Sequence, residues 1–461
     1  MAEITASDYI LLPFYLFLIY KIAFYYRNKY YPDGHPYRKY FILGLTAKIG
    51  GAIFIGLIYY YYYNGGGDTF NYFLHSQLIN STLTSSPDTW FRLITHHANE
   101  NNYADAHAMA DMFWYDDIAA YTTSCLGAII GVFCFTKYLV INVVIASISF
   151  IGMWLMFLTF ANQYKTITKY IAIAVLFMPG TIVWGSGLFK DSFCMFAIGC
   201  LVYSFYMMFE KGTFKVKLLV LTLISIVLLL LIKAYILIVL FPLLVFKTLL
   251  SYKKRLSVNP NPGKKVVFYI VLAIFLFVAY TGLKKAVAYL PKFTTEEILE
   301  TIVKQKDYLL RVSLDSGGSA YDLGDFDPSV VGISKKIVPA INVTLFRPYL
   351  WESHSIIQLF NALESTGVLL LTLYLIFKRN IAKTVKTIYH DPNLIMCIIF
   401  TVVFAFLVGV SSYNFGTLSR YKIPCTPFYM LFLMILVFND NGVNSTEENE
   451  LNYANPNNNP V

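Results

Sequence analysis

The apolar stretch "LLVLTLISIVLLLLIKAYILIVLFPLLVFKTLL", residues 218–250, decides the fold class of this chain. A bilayer crossing needs about 20 predominantly apolar residues, so the stretch is too long for one crossing helix. Lys233 lies in its middle. We therefore divide it into two spans at "LIKAY", which places Lys233 at a membrane surface.

The same criterion, applied to the whole chain, predicts an all-α, polytopic integral membrane protein. Of its 461 residues, 57% are hydrophobic and 14% are charged, whereas a soluble domain holds about 25% charged residues. We expect about 11–13 transmembrane helices, each of about 20 residues. Candidate spans lie near residues 8–26, 41–63, 118–136, 139–160, 169–187, 190–209, 216–232, 234–250, 265–283, 356–377, 394–411 and 424–438.

Between these spans, the sequence predicts a single multi-span domain over residues 1–438. Two larger loops, about 64–117 and 284–355, interrupt it, and their polar, helix-compatible sequences predict short helices on the membrane surface. Residues 439–461 form a polar, Asn-rich tail that we expect to be disordered. The six cysteines are scattered singly, which indicates neither a disulfide framework nor a paired metal motif.

Lysine and arginine residues fall in alternate loops and therefore predict the orientation of the chain. Cytoplasmic loops are enriched in these residues. We read the net charge of +9 as this bias and not as a nucleic-acid surface. The basic loops and the C-terminal tail are then cytoplasmic, and the two larger loops are extracytoplasmic. The cytoplasmic assignment rests on Lys165, Lys169, Lys211, Lys215, Lys217, Lys253, Lys254, Arg255, Lys264, Lys265, Lys378, Arg379, Lys383 and Lys386.

One conflict concerns the first part of the chain. The charge rule places the basic 27–40 loop inside and the acidic 64–117 loop outside. Two crossings between residues 117 and 165, however, would place the 64–117 loop inside. Either one apolar segment between residues 118 and 160 is re-entrant or interfacial, or the first pair of spans is wrong. We expect the acidic loop outside.

Several polar residues then converge on the predicted outer face, where basic groups run against the positive-inside tendency. Ionisable residues at membrane spans invite a functional explanation. The candidate site residues are Asp68, Tyr72, Lys190, Asp191, Lys233, Arg347, Trp351, Glu352, Arg420 and Lys422.

The basic members of this set predict a site for an anionic, lipid-linked substrate. Arginine binds phosphate through a planar fork, and lysine acts as a mobile point charge. Arg347, Arg420, Lys190 and Lys233 would hold a phosphate or diphosphate headgroup, with Lys422 and Asp191 beside them. The sequence predicts no cofactor, although Asp68 is compatible with a divalent cation.

The acidic and aromatic members predict the remaining parts of a glycosyl-transfer site. Asp68 follows three glycines and is a candidate general base, while Glu352 is a candidate catalytic residue that orients Arg347 or the acceptor. Tyr72 and Trp351 offer flat surfaces for sugar rings. Departure of the phosphate and deprotonation of an acceptor hydroxyl would need such groups.

Each of these residues also has a purely structural interpretation. Asp68 can cap a helix, Lys190 can pair with Asp191, Lys233 can reach a membrane surface, and Arg347 can form an interfacial salt bridge with Glu352. The tyrosine run at 59–63 is typical of an aromatic belt. Three further groups have structural interpretations. The residues His96, His97, Asp105, His107 and Asp111 are typical of a solvated loop, and Asp322, Asp325 and Asp327 are typical of a turn. Glu364 is either a buried partner for a basic group or part of polar packing.

Four sequence features together resemble bacterial multi-span envelope-glycan enzymes. They are an aspartate that opens a long outer loop, "SGLFKD" (186–191), "RPYLWE" (347–352) and "NFGTLSRYKIPCTP" (414–427). The chain is similar in these features to polysaccharide polymerases of the O-antigen polymerase type and to the wider class of GT-C glycosyltransferases.

This resemblance implies an enzyme of the bacterial cytoplasmic membrane that uses polyprenyl-phosphate or polyprenyl-diphosphate glycans at its outer face. It implies a catalytic role for Asp68 and substrate-binding roles for Arg347 and Arg420. Two apparent spans precede Asp68, and no acidic pair occurs there, so a polymerase fits better than a transferase of single sugars. The expected partners are the polyprenyl-linked glycan and membrane lipids, without nucleic acid.

Two other functions use the same residues. In a transporter or flippase for a lipid-linked glycan or another anionic substrate, the basic groups would line a path, but the sequence shows no internal repeat of the kind common in transporters. In a membrane scaffold of an envelope assembly complex, the outer loops would bind protein.

Overall fold

The computed structural model describes residues 3–258, 320–324, 330–353 and 355–439, with isolated helical positions between 266 and 281. Within these residues the chain is all-α, and its only β-type pairing is one bridge between Ala320 and Asn414. The protein is an all-α polytopic membrane protein. Most of the predicted span at 265–283, Asp325, Asp327 and most of the 284–355 loop lie outside the described residues.

The chain forms two compact units, which we describe separately. Unit 1 comprises residues 1–204 and 216–238, and unit 2 comprises residues 205–215 and 239–461. The first part of the chain contains α1 (Ala6–Tyr30), α2 (Arg38–Leu57), α3 (Asp68–Ser85), α4 (Pro87–Ile94), α5 (Tyr103–Met109), α6 (Ile118–Phe133), α7 (Tyr138–Ala161), α8 (Thr168–Leu176), α9 (Pro179–Trp184), α10 (Lys190–Phe205) and α11 (Val216–Val258). The later part contains α12 (Val330–Ser334), α13 (Ile337–Phe346), α14 (Ile356–Lys378), α15 (Ile381–His390), α16 (Pro392–Ser412), α17 (Phe415–Tyr421) and α18 (Thr426–Phe438).

Seven helices among the described residues are long and apolar enough to cross a membrane, and a bent pair, α17 with α18, makes an eighth. The stretch that opened the sequence analysis has non-helical backbone angles at Lys233, which confirms the break at "LIKAY". Two predicted spans are shorter than a crossing needs: 118–136 is the short helix α6, and 169–187 is divided between α8 and α9.

The short α6 removes the parity conflict in unit 1. The side chain of Asp8, at the start of α1, accepts a hydrogen bond from Leu139 N (3.0 Å) near the start of α7. At the other end, Tyr37 Oη donates to Asn162 Oδ1 (3.0 Å), just beyond α7. Thus α1 and α7 begin at one end of unit 1, and the 27–40 loop lies at the other, as expected if α6 does not cross.

Close helix packing in unit 1 depends on small residues. A Cβ atom added to Gly199 of α10 would lie 1.9 Å from the carbonyl oxygen of Gly152 in α7. The two backbones can approach this closely only because both positions lack side chains, which is the usual role of small residues between membrane helices. Since α10 begins at Lys190, this contact also fixes the helix that carries Lys190 and Asp191.

The predicted surface helices of the 64–117 loop are α3, α4 and α5. Together with α6 they enclose a small apolar core. Its buried residues belong to α3, α4, α6 and the segment before α6. Its buried members are Ile79, Leu93, Met112, Tyr121, Cys125 and Ala128. The loop is therefore a folded layer and not a flexible connection.

In unit 2, α16 packs against α13, α17 and α18. A Cβ atom on Gly409 of α16 would lie 2.3 Å from the carbonyl oxygen of Ala340, so glycine again permits a close helix contact. Thr344 of α13 donates a hydrogen bond to Ala405 O (2.8 Å) across the same interface. These contacts hold the end of α13, where Arg347 follows.

Candidate functional site

Asp68, the candidate base, is the first residue of α3 in unit 1. Gly67 precedes it with φ +86, and a Cβ atom there would lie 2.6 Å from the Tyr59 ring, so only glycine fits this position. A carboxylate in the first turn of a helix is favoured by the helix dipole. The N-cap residue of α3 is Gly67 and not Asp68, so the capping interpretation is not confirmed, and the catalytic role of Asp68 stays a prediction.

Lys190 and Tyr72, predicted from separate loops, lie together in unit 1. The Lys190 ammonium is 5.9 Å from the centroid of the Tyr72 ring and 3.7 Å from Asp117 Oδ2. The buried Tyr72 ring also packs on Trp114, with 5.1 Å between ring centroids. Asp117, which sequence reasoning missed, caps α6 by accepting from the backbone of Ala119 (3.0 Å). The 64–117 loop and the 184–192 loop thus meet at one end of unit 1.

Asp191 and Lys233 form a buried ion pair in the same unit. Lys233 Nζ lies 2.5 Å from Asp191 Oδ1, and the two side chains are 6% and 0% exposed. The ammonium group of Lys233 is therefore enclosed by protein, while the position of Lys233 at a membrane surface stays a prediction. A lysine in this position holds the kink in α11 against the start of α10.

Lys48 is a second buried cation of unit 1, and sequence reasoning missed it. Its ammonium donates to the carbonyl oxygens of Thr181 and Gly185 (both 2.7 Å) at the end of α9 and contacts Ser149 Oγ (3.3 Å). A cation at a helix C-terminus is favoured by the helix dipole. Lys48 thereby fixes the start of the loop that leads to Lys190. The signal was present, because Lys48 is the one charged residue between residues 40 and 67.

In unit 2, Arg347 and Glu352 form the ion pair that their spacing suggested. Arg347 Nε donates to Glu352 Oε1 (3.0 Å) and Oε2 (3.1 Å), and Nη2 also donates to Oε1. Glu352 Oε2 accepts a further bond from Tyr349 N (2.8 Å). Both carboxylate oxygens are therefore engaged, which fits an orienting role better than that of a free base. The side chains are 23% and 18% exposed.

An aromatic collar surrounds the Arg347 guanidinium. Its carbon lies 5.1 Å from the Phe415 ring centroid, 5.8 Å from that of Tyr349 and 6.0 Å from that of Tyr321. Tyr321 is held by its hydroxyl, which donates to Gly409 O (2.9 Å). Such cation–π contacts fix a guanidinium without using its hydrogen-bond donors. Nη1 of Arg347 makes no hydrogen bond with the residues that the structure describes.

Trp351 lies beside this collar as an exposed aromatic surface. Its ring stacks on that of Tyr349, with 4.8 Å between centroids and 24° between planes. The side chain is 78% exposed. Unlike Tyr72, whose ring is buried, Trp351 is therefore accessible to a large ligand.

Lys422 is buried in unit 2. Its ammonium donates to Ser365 Oγ (2.8 Å) and lies 3.5 Å from the backbone oxygen of Arg347, which also accepts from Ser365 Oγ (3.1 Å). Glu364 interacts electrostatically with Lys422. Arg420 lies half-buried in the last turn of α17. Lys422 and Ser365 thus hold the backbone of Arg347 through its carbonyl oxygen. The contact with Ser365 was not predicted from the sequence.

The weaker acidic motifs have structural partners. Asp105 is buried and accepts two short bonds from Arg92, at 2.8 and 2.6 Å. The Arg92 hydrogen bonds lower the pKa of Asp105 to about 2. Asp322 accepts from Gly324 N (2.9 Å), as expected for a turn. No group of three or more His, Cys, Asp or Glu side chains arranged for a metal ion occurs in the described part of the chain.

The structure thus brings the predicted residues into two separate groups. In unit 1, Lys190 and Tyr72 lie together, and Asp191 pairs with Lys233. In unit 2, Arg347 pairs with Glu352, near Trp351 and Lys422. Comparisons of the chain with protein-family models, with characterised proteins and with solved structures find no match.

Proposed function

We propose that this protein is a membrane glycosyltransferase or polysaccharide polymerase that acts on polyprenyl-phosphate- or polyprenyl-diphosphate-linked glycans. Its site would face the outer side of the bacterial cytoplasmic membrane and serve envelope polysaccharide biosynthesis. The observation that carries the proposal is the Arg347 group. Its guanidinium is held by Glu352, its Nη1 has no hydrogen bond with the described residues, and it lies beside Tyr349, whose ring stacks on the exposed Trp351.

Arg347 would bind the phosphate of the donor. Glu352 and the aromatic collar fix the guanidinium, so little ordering is needed when a ligand arrives, while Nη1 remains to donate to a phosphate oxygen. A preorganised donor aimed at developing negative charge stabilises a departing phosphate. Glu352 would act by holding Arg347 in this orientation.

Trp351 and Tyr349 would bind the sugar that is attached to this phosphate. Their stacked rings form an apolar surface directly beside the guanidinium. A lipid-linked sugar phosphate has a charged group next to a flat ring, so its chemistry matches both features. The scaffold alternative has no such requirement for a cation beside an exposed aromatic surface.

Unit 1, taken by itself, contains its own accessible cation and the candidate base. Lys190 is held by Asp117 and by the Tyr72 ring but is partly exposed, which suits a phosphate ligand. Asp68, one helical turn before Tyr72, would accept the proton of the acceptor hydroxyl. Lys233 and Lys422 are buried and bound to protein groups, and we assign them supporting roles.

The test compares Trp351→Ala and Arg347→Lys with Lys383→Ala in the native host. Trp351 is exposed, so its loss should not unfold the protein, and Arg347→Lys keeps the charge but removes the fork that pairs with Glu352. Lys383 is an exposed lysine of the same unit. We expect shorter envelope glycan chains and accumulation of lipid-linked precursor on the outer leaflet for the first two variants only.

Two results would overturn the proposal. Normal glycan chains in both test variants, at wild-type protein levels, would reduce Arg347 to an interfacial anchor. Precursor accumulation on the cytoplasmic leaflet would identify a flippase instead.

A further inference from the structure

A second surface of unit 1 lies in the folded layer formed by the 64–117 loop. Here an open cavity of about 510 Å³ lies between the α4–α5 connection and the segment before α6. Its volume falls within the range of about 300–1,000 Å³ that is typical of small-ligand sites. The polar and aromatic lining residues are His97, Asn99, Glu100, Asn101, Tyr115 and Asp116.

The walls of this cavity are fixed by contacts behind them. Asp105, held by Arg92, accepts a hydrogen bond from Asn99 N (3.1 Å). The Tyr115 hydroxyl donates to Ala98 O (3.3 Å), and the Tyr115 ring meets that of Tyr121 edge-on at 4.8 Å. The cavity therefore has a defined shape, and a ligand would not have to order it.

The lining offers hydrogen-bonding groups that protein contacts leave unused. Within the described residues, the side chains of Glu100, Asn101 and Asp116 make no hydrogen bond. Carboxylates accept hydrogen bonds, and amides both donate and accept. A ligand rich in hydroxyl groups satisfies both kinds of group, and the Tyr115 ring adds an apolar contact.

The charge of the lining excludes an anionic ligand. Two carboxylates and no lysine or arginine line the cavity, so a phosphate would be repelled. Asp116 lines the cavity, and the next residue, Asp117, pairs with Lys190. Consecutive Cα atoms are about 3.8 Å apart. The cavity and the Lys190 group are therefore neighbours along the chain, through Asp116 and Asp117.

We propose that this cavity binds uncharged sugar residues of a glycan chain, as an acceptor subsite of the enzyme. This inference rests on the proposed function for its biological role, but sugar binding itself can be measured without activity.

The test uses the full-length protein in nanodiscs of neutral lipid. The probes are short, phosphate-free oligosaccharides of neutral hexoses and N-acetylhexosamines. We expect at least one of them to bind the wild type and to bind Glu100→Ala/Asp116→Ala about tenfold more weakly, because both carboxylates lose their hydrogen bonds to it. Asp111→Ala, an exposed acidic residue of the same loop outside the cavity, is the matched control and should bind as the wild type does.

Four outcomes would overturn the inference, and the first three are no binding of any probe, equal binding by the double variant, and displacement of the sugar by inorganic phosphate. Abolition of sugar binding by EDTA would make the cavity a cation site and would overturn it as well. If sugar binding follows the cavity variants while Arg347 variants make normal glycans, the subsite stands and the proposed function fails. If Arg347 variants shorten glycans while no probe binds, the reverse holds.

Discussion

The buried pair of Lys233 and Asp191 makes a quantitative prediction about the stability of unit 1. At an N–O distance of 2.5 Å and an effective dielectric constant of about 20, their attraction is about 7 kcal/mol. Removing each ion from water costs several kcal/mol, so the net contribution of the intact pair is small. Loss of one partner is different, since it leaves the other charge buried alone, and this costs about 3–5 kcal/mol.

Lys233→Met should therefore lower the free energy of unfolding by about 3–5 kcal/mol. The matched control is Asp33→Asn, which breaks the exposed pair of Asp33 with Arg38. That pair has a similar distance of 2.9 Å, but Asp33 is 94% exposed, and exposed pairs contribute about 0–1 kcal/mol. The measurement is detergent-induced unfolding in mixed micelles, followed by the fluorescence of the native tryptophans.

The double variant Lys233→Met/Asp191→Leu separates charge from packing. Replacing both ions by apolar groups removes the uncompensated charge, so most of the lost stability should return. A double variant as unstable as the single one would refute the ion-pair argument, as would equal effects of Lys233→Met and Asp33→Asn. A stable double variant that still makes normal glycan chains would also show that Lys233 does not bind substrate.

Two further changes test contacts outside this pair. Lys48→Met should lower the free energy of unfolding by about 1–3 kcal/mol, because carbonyl oxygens at the end of α9 lose a charged donor. The control, Lys39→Met on the exposed part of α2, should change it little. Equal effects of the two variants in thermal melts would contradict this role of Lys48. The lowered pKa of Asp105 stabilises the folded loop above the unfolded value of about 4, and this contribution is lost as pH falls from there towards 2. The protection factors of the loop amides, which compare the measured exchange rate with the intrinsic rate at each pH, should therefore be steady from neutral pH to about 5 and fall below about 4. Asp105→Asn should abolish this fall, and an unchanged profile of protection factors in that variant would be the contrary result.

Sequence periodicity and length predicted the parts of the fold that depend on local physics. The break at Lys233 followed from the length of an apolar run against the thickness of a bilayer. Short helices in the 64–117 loop were predicted from its polar composition, and their position on the membrane surface stays a prediction. The pair of Arg347 and Glu352 was visible because the two residues are five positions apart, which is close enough for the intervening turn to join them.

Contacts between distant segments were not predictable in the same way. Ser365 and Tyr321 support Arg347 from positions that carry no charge and no motif. Span 169–187 was predicted from hydrophobicity alone, which cannot distinguish one helix from two short ones. The depth of a charged residue was equally hidden: Lys233 and Lys190 look alike in sequence, yet one is buried against Asp191 and the other is partly exposed.

That difference in burial divides the predicted phosphate-binding residues. Lys233 and Lys422 are enclosed, and each donates to a protein group at 2.8 Å or less. A phosphate would have to displace those partners and leave Asp191 or Ser365 unsatisfied. Lys190 and Arg347 are also held, but by ring faces and by one carboxylate each, and both remain partly exposed. A cation that is oriented by neighbours yet accessible on one side can bind an anion without first breaking the fold, so we assign the proposed phosphate binding to Lys190 and Arg347 and not to Lys233 or Lys422.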